Sequence, residues 1–338
     1  MVVAGYKPAV VYGGPVYSVS ALCEELQQHD IDVTVLTTNA NGQHDFPYPN
    51  RTTKWVDGVR VIYCRRIVGD PVSISPTHTW TLLKCIKEYD MIHIQGWWNW
   101  VAMISLVICK IYGVPHILST RGALSEYTFR TQHTKRTKKW LHRLFFKRML
   151  SRTLLHVTSN EEASKFRAVL PDAQIINIPN IVNFPTARFE HVDHEGPLQL
   201  IFLGRIDPVK NIELLVNSLR RVPFPYHLTI VGDGDPGYIA GLQQLIEQHD
   251  HITMAGPVYD ERKFALLANA DLLVLLSHTE NFGNVILEAL SQGTAVLVSK
   301  NVGAADIVSS QHLGWVITPE VEVCAEILCE INANRQQL

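Results

Sequence analysis

The stretch DLLVLLSHTENFGNVILEALSQGTAVLVS, residues 271–299, runs from an apolar segment through a polar turn into a helix-period segment and back to a β-branched run. Apolar runs this short, bounded by turn residues, read as strands buried on both faces, and FGNVILEALSQG (282–293) between them reads as a helix stopped at Gly293. Two acids interrupt this apolar unit. Glu280 sits in the turn at the carboxyl end of the first strand, and Glu288 lies about two helical turns further on, projecting from a similar side. An acid near a helix N-terminus or on a solvated helix face is ordinary. Glu288, however, stands among Val285, Ile286, Leu287, Ala289 and Leu290, and an acid on so apolar a helix needs a partner.

Working outward, the same alternation fills the chain. MVVAGY, DVTVLTT, VRVIYC, MIHIQG, PHILST, LLHVTS and AQIINIPN read as strands, with helical stretches such as VYSVSALCEELQQH and NWVAMISLVICKIYG between several of them. A second series begins at LQLIFLGR and continues through HLTIVGDG, HITMAG, DLLVLLS, TAVLVS and GWVITP. Nearly continuous apolar strands alternating with helices imply a parallel sheet covered on both faces. The polar, aperiodic NFPTARFEHVDHEGP (183–197) separates the two series. The expected division is a first doubly wound, Rossmann-like domain over 1–185, a linker over 186–197, and a second such domain over 198–338. Ligands of such sheets bind beyond the carboxyl ends of the strands, so the loops there should carry the chemistry.

Composition narrows the function. With 338 residues, 46% hydrophobic and 18% charged, the chain can build two cores. Its net charge of −2 hides an asymmetry: residues 1–185 hold 21 Lys+Arg against 13 Asp+Glu (+8), and 186–338 hold 9 against 19 (−10). Opposite signs suggest domains with different partners. The six cysteines form no C-x-x-C pair and lie mostly in apolar runs, as reduced thiols of a cytoplasmic protein do. No signal peptide opens the sequence, and its longest apolar run is broken by Lys110, well short of a membrane span of ~20 residues.

The acids and their surroundings resemble a known family. Glu280 and Glu288 with NFGNVIL between them are similar to the E-x7-E motif of retaining GT-B glycosyltransferases of family 4. The likeness extends through YGGP (12–15), RGAL (121–124), TSNEE (158–162), IPNIV (178–182), FLGRIDPVKNIELLVNSL (202–219), IVGDG (230–234) and GAADIV (303–308), in order and at matching spacing. It implies an α/β, GT-B architecture: two Rossmann-like domains facing across a cleft, acceptor on the first and nucleotide-sugar donor on the second. The family's closing helix, which crosses back onto the first domain, is expected to be missing from a sequence that ends at ANRQQL (333–338). By the same resemblance Glu288 holds the ribose hydroxyls, Glu280 lies beside the transferred sugar, and the backbone amides of Asn281, Phe282 and Gly283 contact sugar or diphosphate. Gly204 belongs to the donor side as well.

Departure of a nucleoside diphosphate leaves negative charge on phosphate oxygens, which a transferase without a metal must meet with cations and amide donors. In GRIDPVKN, Arg205 offers a planar fork and Lys210 a mobile point charge, spaced as in the family. Gly13 and Gly14 open the first helix, where missing side chains allow close approach of phosphate or acceptor, although a plain turn before Pro15 would look the same. Asp233-Gly234-Asp235 resembles a metal-binding D-x-D, but a turn after a strand accounts for it, and no required metal or other cofactor is expected.

The first domain departs from the family in one place. Many members carry a histidine near the end of PHILSTRGALSE, where this sequence has Arg121; it either contacts a phosphate or an acidic acceptor, or is a surface arginine. His93 is the nearest alternative histidine, though a structural role is the ordinary one for such a residue. Between Glu126 and Glu161 no acid occurs, while Lys135, Arg136, Lys138 and Lys139 open a basic segment with interleaved aromatics. Its spacing fits an amphipathic core-facing helix, or peripheral contact with an anionic membrane at the cytoplasmic face; no nucleic-acid module is recognisable.

The expected function is therefore transfer of a hexose-type sugar, with retention, from a nucleotide sugar to a glycan or lipid-linked acceptor in cell-surface polysaccharide synthesis. The alternatives are a subunit that binds nucleotide sugar or a partner without turnover, and a nucleotide-sugar epimerase of the same fold. Fold alone separates none of these.

Overall fold

A computed structural model describes residues 1–122, 147–150, 152–185, 189, 196–247, 249–258 and 261–337. The chain divides into two compact units, Met1–Ile181 and Val182–Leu338. The basic segment, including Lys135, Arg136, Lys138 and Lys139, and most of the expected linker lie outside the described residues.

In the first unit β1 (Thr34–Thr38), β2 (Thr52–Val56) and β3 (Val59–Cys64) pair in the order β1-β3-β2, with β2 antiparallel. β4 (Ile92–Gln95), β5 (His116–Ser119), β6 (Leu154–Val157) and β7 (Ile175–Asn177) pair in sequence order, all parallel. Val2 bridges both Leu36 and Ile94, so the strand expected at MVVAGY is cut to one residue whose two bridges join the two groups. The TTKWV edge strand escaped the pattern because its three central residues are exposed and its two end residues half-buried, with no alternation, so no buried face marked it.

Helices cover this sheet: α1 (Gly14–Gln28), α2 (Pro76–Cys85), α3 (Trp100–Tyr112), α4 (Lys147–Leu150) and α5 (Asn160–Val169). Their ends follow local chemistry. Asn99 caps α3 by accepting from the Ala102 N–H, and Gly113 in the left-handed region closes it. Ser159 caps α5 by accepting from the Glu162 N–H.

The second unit is one parallel sheet: β8 (Leu198–Leu203), β9 (Tyr226–Val231), β10 (Ile252–Gly256), β11 (Leu272–Leu275), β12 (Ala295–Ser299) and β13 (Gly314–Ile317), ordered β10-β9-β8-β11-β12-β13. The order reverses between β8 and β11, the switch point where a doubly wound sheet opens a crevice at its carboxyl edge. α6 (Ile212–Leu219), α7 (Pro236–Ile246), α8 (Arg262–Ala268), α9 (Asn284–Ser291), α10 (Ala305–Ser310) and α11 (Val321–Ala333) complete it. The central β11 is buried along its whole length, as its unbroken Leu-Leu-Val-Leu requires.

Two glycine-bearing loops meet at the carboxyl ends of β8 and β9. A Cβ on Gly232 would stand 1.8 Å from the Gly204 carbonyl oxygen, and Gly232 holds φ +155°. Gly232→Ala is therefore expected to destabilise the second unit by about 1–3 kcal/mol. Thermal melts of the two proteins check this, and an unchanged midpoint would refute the close approach.

Asp235 accepts from the Tyr238 N–H and caps α7, which gives that aspartate of the GDGDP turn a structural task.

Candidate functional site

The E-x7-E acids come from two different pieces of structure. Helix α9 begins only at Asn284, with Gly283 at its N-cap in the left-handed region, so Glu280 is not on the helix that carries Glu288. Residues 280–283 run instead beside the loop after β12: the Glu280 N–H donates to Asn301, and the carbonyls of Glu280 and Phe282 accept from Gly303 and Ala304. The expectation of a helix from Phe282 fails because these backbone groups are already paired sideways. The Phe282 side chain is buried in the core, and a Cβ on Gly283 would stand 3.0 Å from both Ile286 and Val302. GAADIV thus belongs to the same construction as NFG, a link that only the fold displays.

Lys210 reaches Glu280 through a second set of local bonds. Asp207 caps a short 3-10 turn, Pro208–Lys210, and Asn211 follows in the left-handed region. The His278 N–H donates to the Val209 carbonyl at 2.8 Å, tying this loop to the end of β11. With the loop so held, Lys210 forms an ion pair with the half-buried Glu280. Arg205 is not part of that pair: its side chain is 71% exposed, and its one carboxylate neighbour among the described residues is Asp207 at 3.9 Å.

Glu288 is buried, and its partner is Lys263 of α8 at 2.7 Å. The sequence called for such a partner without naming it. Lys263 lies 25 residues upstream on another helix, and no spacing rule connects them. A cavity of about 550 Å³ in this unit is lined by Phe189, Val258, Arg262, Ala265, Leu266 and Asn269 and includes none of the expected site residues.

In the first unit Gly13 adopts φ 65° and N-caps α1 without a side-chain cap, leaving Gly14 exposed at the helix start. The turn is held from Tyr12. Its hydroxyl donates to Asp70 at 2.6 Å and accepts from the Gly42 N–H at 2.9 Å. Arg66, buried beneath, donates to Asp45, Asp70 and the Gly42 carbonyl at 2.6–2.8 Å, so one guanidinium staples three loops around the glycine turn. Burial and the bond to Asp70 push the Tyr12 phenol up to about 12.

Arg121 is not a surface arginine. Its Nε donates to Gln95 Oε1 at 2.9 Å, and one terminal nitrogen donates to Ser18 of α1 at 3.2 Å and to Asn180. Gly122 is anchored in turn, its N–H donating to Glu162 at 3.0 Å. Glu162 also accepts from the Thr158 N–H and hydroxyl at 2.9 and 3.2 Å. Burial raises the Glu162 pKa, against these bonds, and burial pushes Arg121 down to about 10.

His93 lies below this turn in a polar row across the sheet. His156 Nε2 donates to the Ile178 carbonyl at 2.9 Å, so its Nδ1 accepts from the Ser119 hydroxyl at 2.7 Å. His93 Nε2 lies 2.8 Å from Ser119 Oγ and 3.0 Å from Gln95 Nε2. Burial holds both rings below the ordinary histidine range, which suits this neutral arrangement. Glu162, Gln95, Asn180, Ser119 and His156 went unread in the sequence because their roles depend on strands being laid side by side; the capping pattern Ser159-Asn160-Glu161-Glu162 was the one available signal for Glu162.

Among the described residues no group of three or more His, Cys, Asp or Glu is placed to hold a metal ion, and no helix is long and apolar enough to cross a membrane.

Comparison with known proteins follows the two units. The family described as glycosyltransferase family 4 matches residues 12–184, and that described as glycosyl transferases group 1 matches 183–337. D-inositol 3-phosphate glycosyltransferase of Pseudarthrobacter chlorophenolicus is 27% identical over 252 residues, covering 68% of this chain and 59% of that enzyme. Glycogen synthase of Mycobacterium tuberculosis is 26% identical over 357 residues, covering 94% of this chain and 82% of that enzyme. Among solved structures, sucrose-phosphate synthase of Thermosynechococcus elongatus superposes with a TM-score of 0.72 at 22% identity, over 98% of this chain and 87% of that one. HepE from Anabaena in complex with UDP-glucose superposes at 0.71 and 17% identity, over 99% and 89%. These two likenesses carry the GT-B fold of two Rossmann-like domains.

Proposed function

This chain belongs to glycosyltransferase family 4, and from that membership we propose that it moves a hexose-type sugar, with retention of configuration and without a required metal, from a nucleoside-diphosphate sugar to a glycan or lipid-linked acceptor. The observation that carries the reading is the Lys210–Glu280 pair, built where the loop after β8 is hydrogen-bonded to the end of β11. That is the switch-point edge of the donor-type sheet, where a cation and an acid can face a diphosphate and a sugar hydroxyl together. Lys210 neutralises charge growing on the departing phosphate, and Arg205, exposed and unburdened by a close ion pair, is free to swing onto the same group. Glu288 trades or shares Lys263 for the ribose hydroxyls. A uridine donor is consistent with the HepE complex, and cell-surface polysaccharide synthesis at the cytoplasmic face of a membrane is the matching physiological setting.

Incubating the full chain with UDP, GDP and ADP sugars tests this reading: nucleoside diphosphate release supports a transferase, an epimerised donor supports an epimerase, and binding without turnover supports a non-catalytic subunit. For the nucleotide itself, Glu288→Gln is expected to weaken nucleoside-diphosphate affinity by about 10- to 100-fold, as loss of a hydrogen bond to a charged group does. Calorimetric titration checks it, and unchanged affinity would remove Glu288 from the ribose.

A further inference from the structure

Arg121 carries a charge that its surroundings among the described residues do not answer with a paired anion. A guanidinium drawn out of water is normally met by an anion, because neutral dipoles recover only part of the lost hydration. The acceptors on Arg121 are the Gln95 amide oxygen, the Ser18 hydroxyl and the Asn180 amide oxygen, all of them neutral. No carboxylate pairs with it among the described residues. Glu162 offsets part of its charge from a distance, but that carboxylate is committed to the amides of Gly122 and Thr158 and the Thr158 hydroxyl. His93 and His156, the other titratable groups on the adjoining strands, are held neutral and supply no anion. Cys23 contributes only a buried thiol, itself pushed up to about 11.

The backbone points the same way. Arg121 sits at φ 54°, a left-handed conformation that a long side chain seldom adopts, and the bond from Gly122 to Glu162 secures the turn. One terminal nitrogen, Nη2, makes no hydrogen bond among the described residues, and the residue remains partly accessible. β4, β5, α1 and the segment after β7 thus converge on a guanidinium whose Nη2 is unbonded among the described residues.

We propose that Arg121 is an oxyanion-binding residue of the first unit, and that the oxyanion is a phosphate or carboxylate of the acceptor. The choice of acceptor rests on the function proposed above, in which the donor diphosphate already has Lys210 and Arg205 in the second unit. The acceptor class is then a negatively charged glycan or a phosphate-bearing carrier. Nη2 offers two N–H donors to the anion, while Nε and Nη1 stay on the protein.

The test uses the full chain and inorganic phosphate as the probe, titrated at low ionic strength into protein saturated with the nucleoside diphosphate it binds best. Wild type is expected to bind phosphate in the presence of nucleotide. Arg121→Gln should lower that phosphate affinity at least about tenfold and leave nucleotide affinity within about twofold. Arg121→Lys, which keeps the charge and loses the fork, should fall between them and guards against misfolding of the neutral variant. Equal phosphate binding by wild type and Arg121→Gln overturns the proposal. So does phosphate that binds only when nucleotide is absent, coupled with weaker nucleotide binding by Arg121→Gln, since the anion would then be the donor's own diphosphate. Glu288→Gln run in parallel separates the two readings: unchanged nucleotide affinity there would sink the donor assignment without moving the phosphate result.

Discussion

Glu280→Ala is expected to lower sugar transfer by about 10³-fold while nucleoside-diphosphate affinity stays within a fewfold of wild type. Removing one preorganised electrostatic group from a transferase site costs on the order of 10²–10³ in turnover. Here the loss is compounded, because Lys210 is left without its acid partner and can collapse onto the phosphate in the ground state. The ribose contact proposed for Glu288 is untouched, since Glu288 is held by Lys263 on separate elements. Steady-state kinetics beside calorimetric titration give the two numbers. An active Glu280→Ala protein would take Glu280 out of the reaction. With wild type, proton NMR of the first-formed product from an α-linked donor should show an α linkage; a β linkage would exclude retention.

Acid should unfold the first unit early. His78 is fully buried on α2, neither ring nitrogen has a hydrogen-bond partner among the described residues, and burial pushes its pKa down to about 3. His93 and His156 are depressed too, both mainly by burial, with the charge of Arg121 acting in the same direction. In the unfolded chain each of the three takes up a proton near its ordinary value of 6.5, and the folded unit resists. The unfolded state therefore binds more protons below that pH, so the stability is fully present above about 6.5 and is lost as pH falls. Each histidine contributes a slope of up to about 1.4 kcal/mol per pH unit, large against a typical domain stability of about 5–15 kcal/mol. Urea melts between pH 7.5 and 5, above most carboxylate titration, should show the decline, and His78→Leu should flatten it by about one proton. A flat profile in the wild type would contradict the burial of these rings as neutral groups.

The strands of both sheets were legible because fully buried parallel strands must be apolar without interruption, and that shows in one dimension. The Gly13-Gly14-Pro15 turn was legible for the same kind of reason, since it acts within a few residues of itself. β2 was not, since an exposed antiparallel edge leaves no buried face to read. The E-x7-E acids could be picked out from their spacing and family likeness, but a helix starting at Phe282 could not survive the pairing of residues 280–283 with the loop after β12.

By itself, then, the sequence determined most of the strands and helices, their division into two series, and which charged residues stand in strand-end loops. Only the tertiary structure decided which charges meet. Lys210 with Glu280 and Lys263 with Glu288 are 70 and 25 residues apart, and Arg121 gathers Ser18, Gln95 and Asn180 across gaps of 103, 26 and 59. The reason is physical. Hydrophobic burial and backbone hydrogen bonding act through local periodicity, whereas an ion pair or a buried guanidinium answers to distance in space, which the order of strands in a sheet sets and the order of residues in a chain does not.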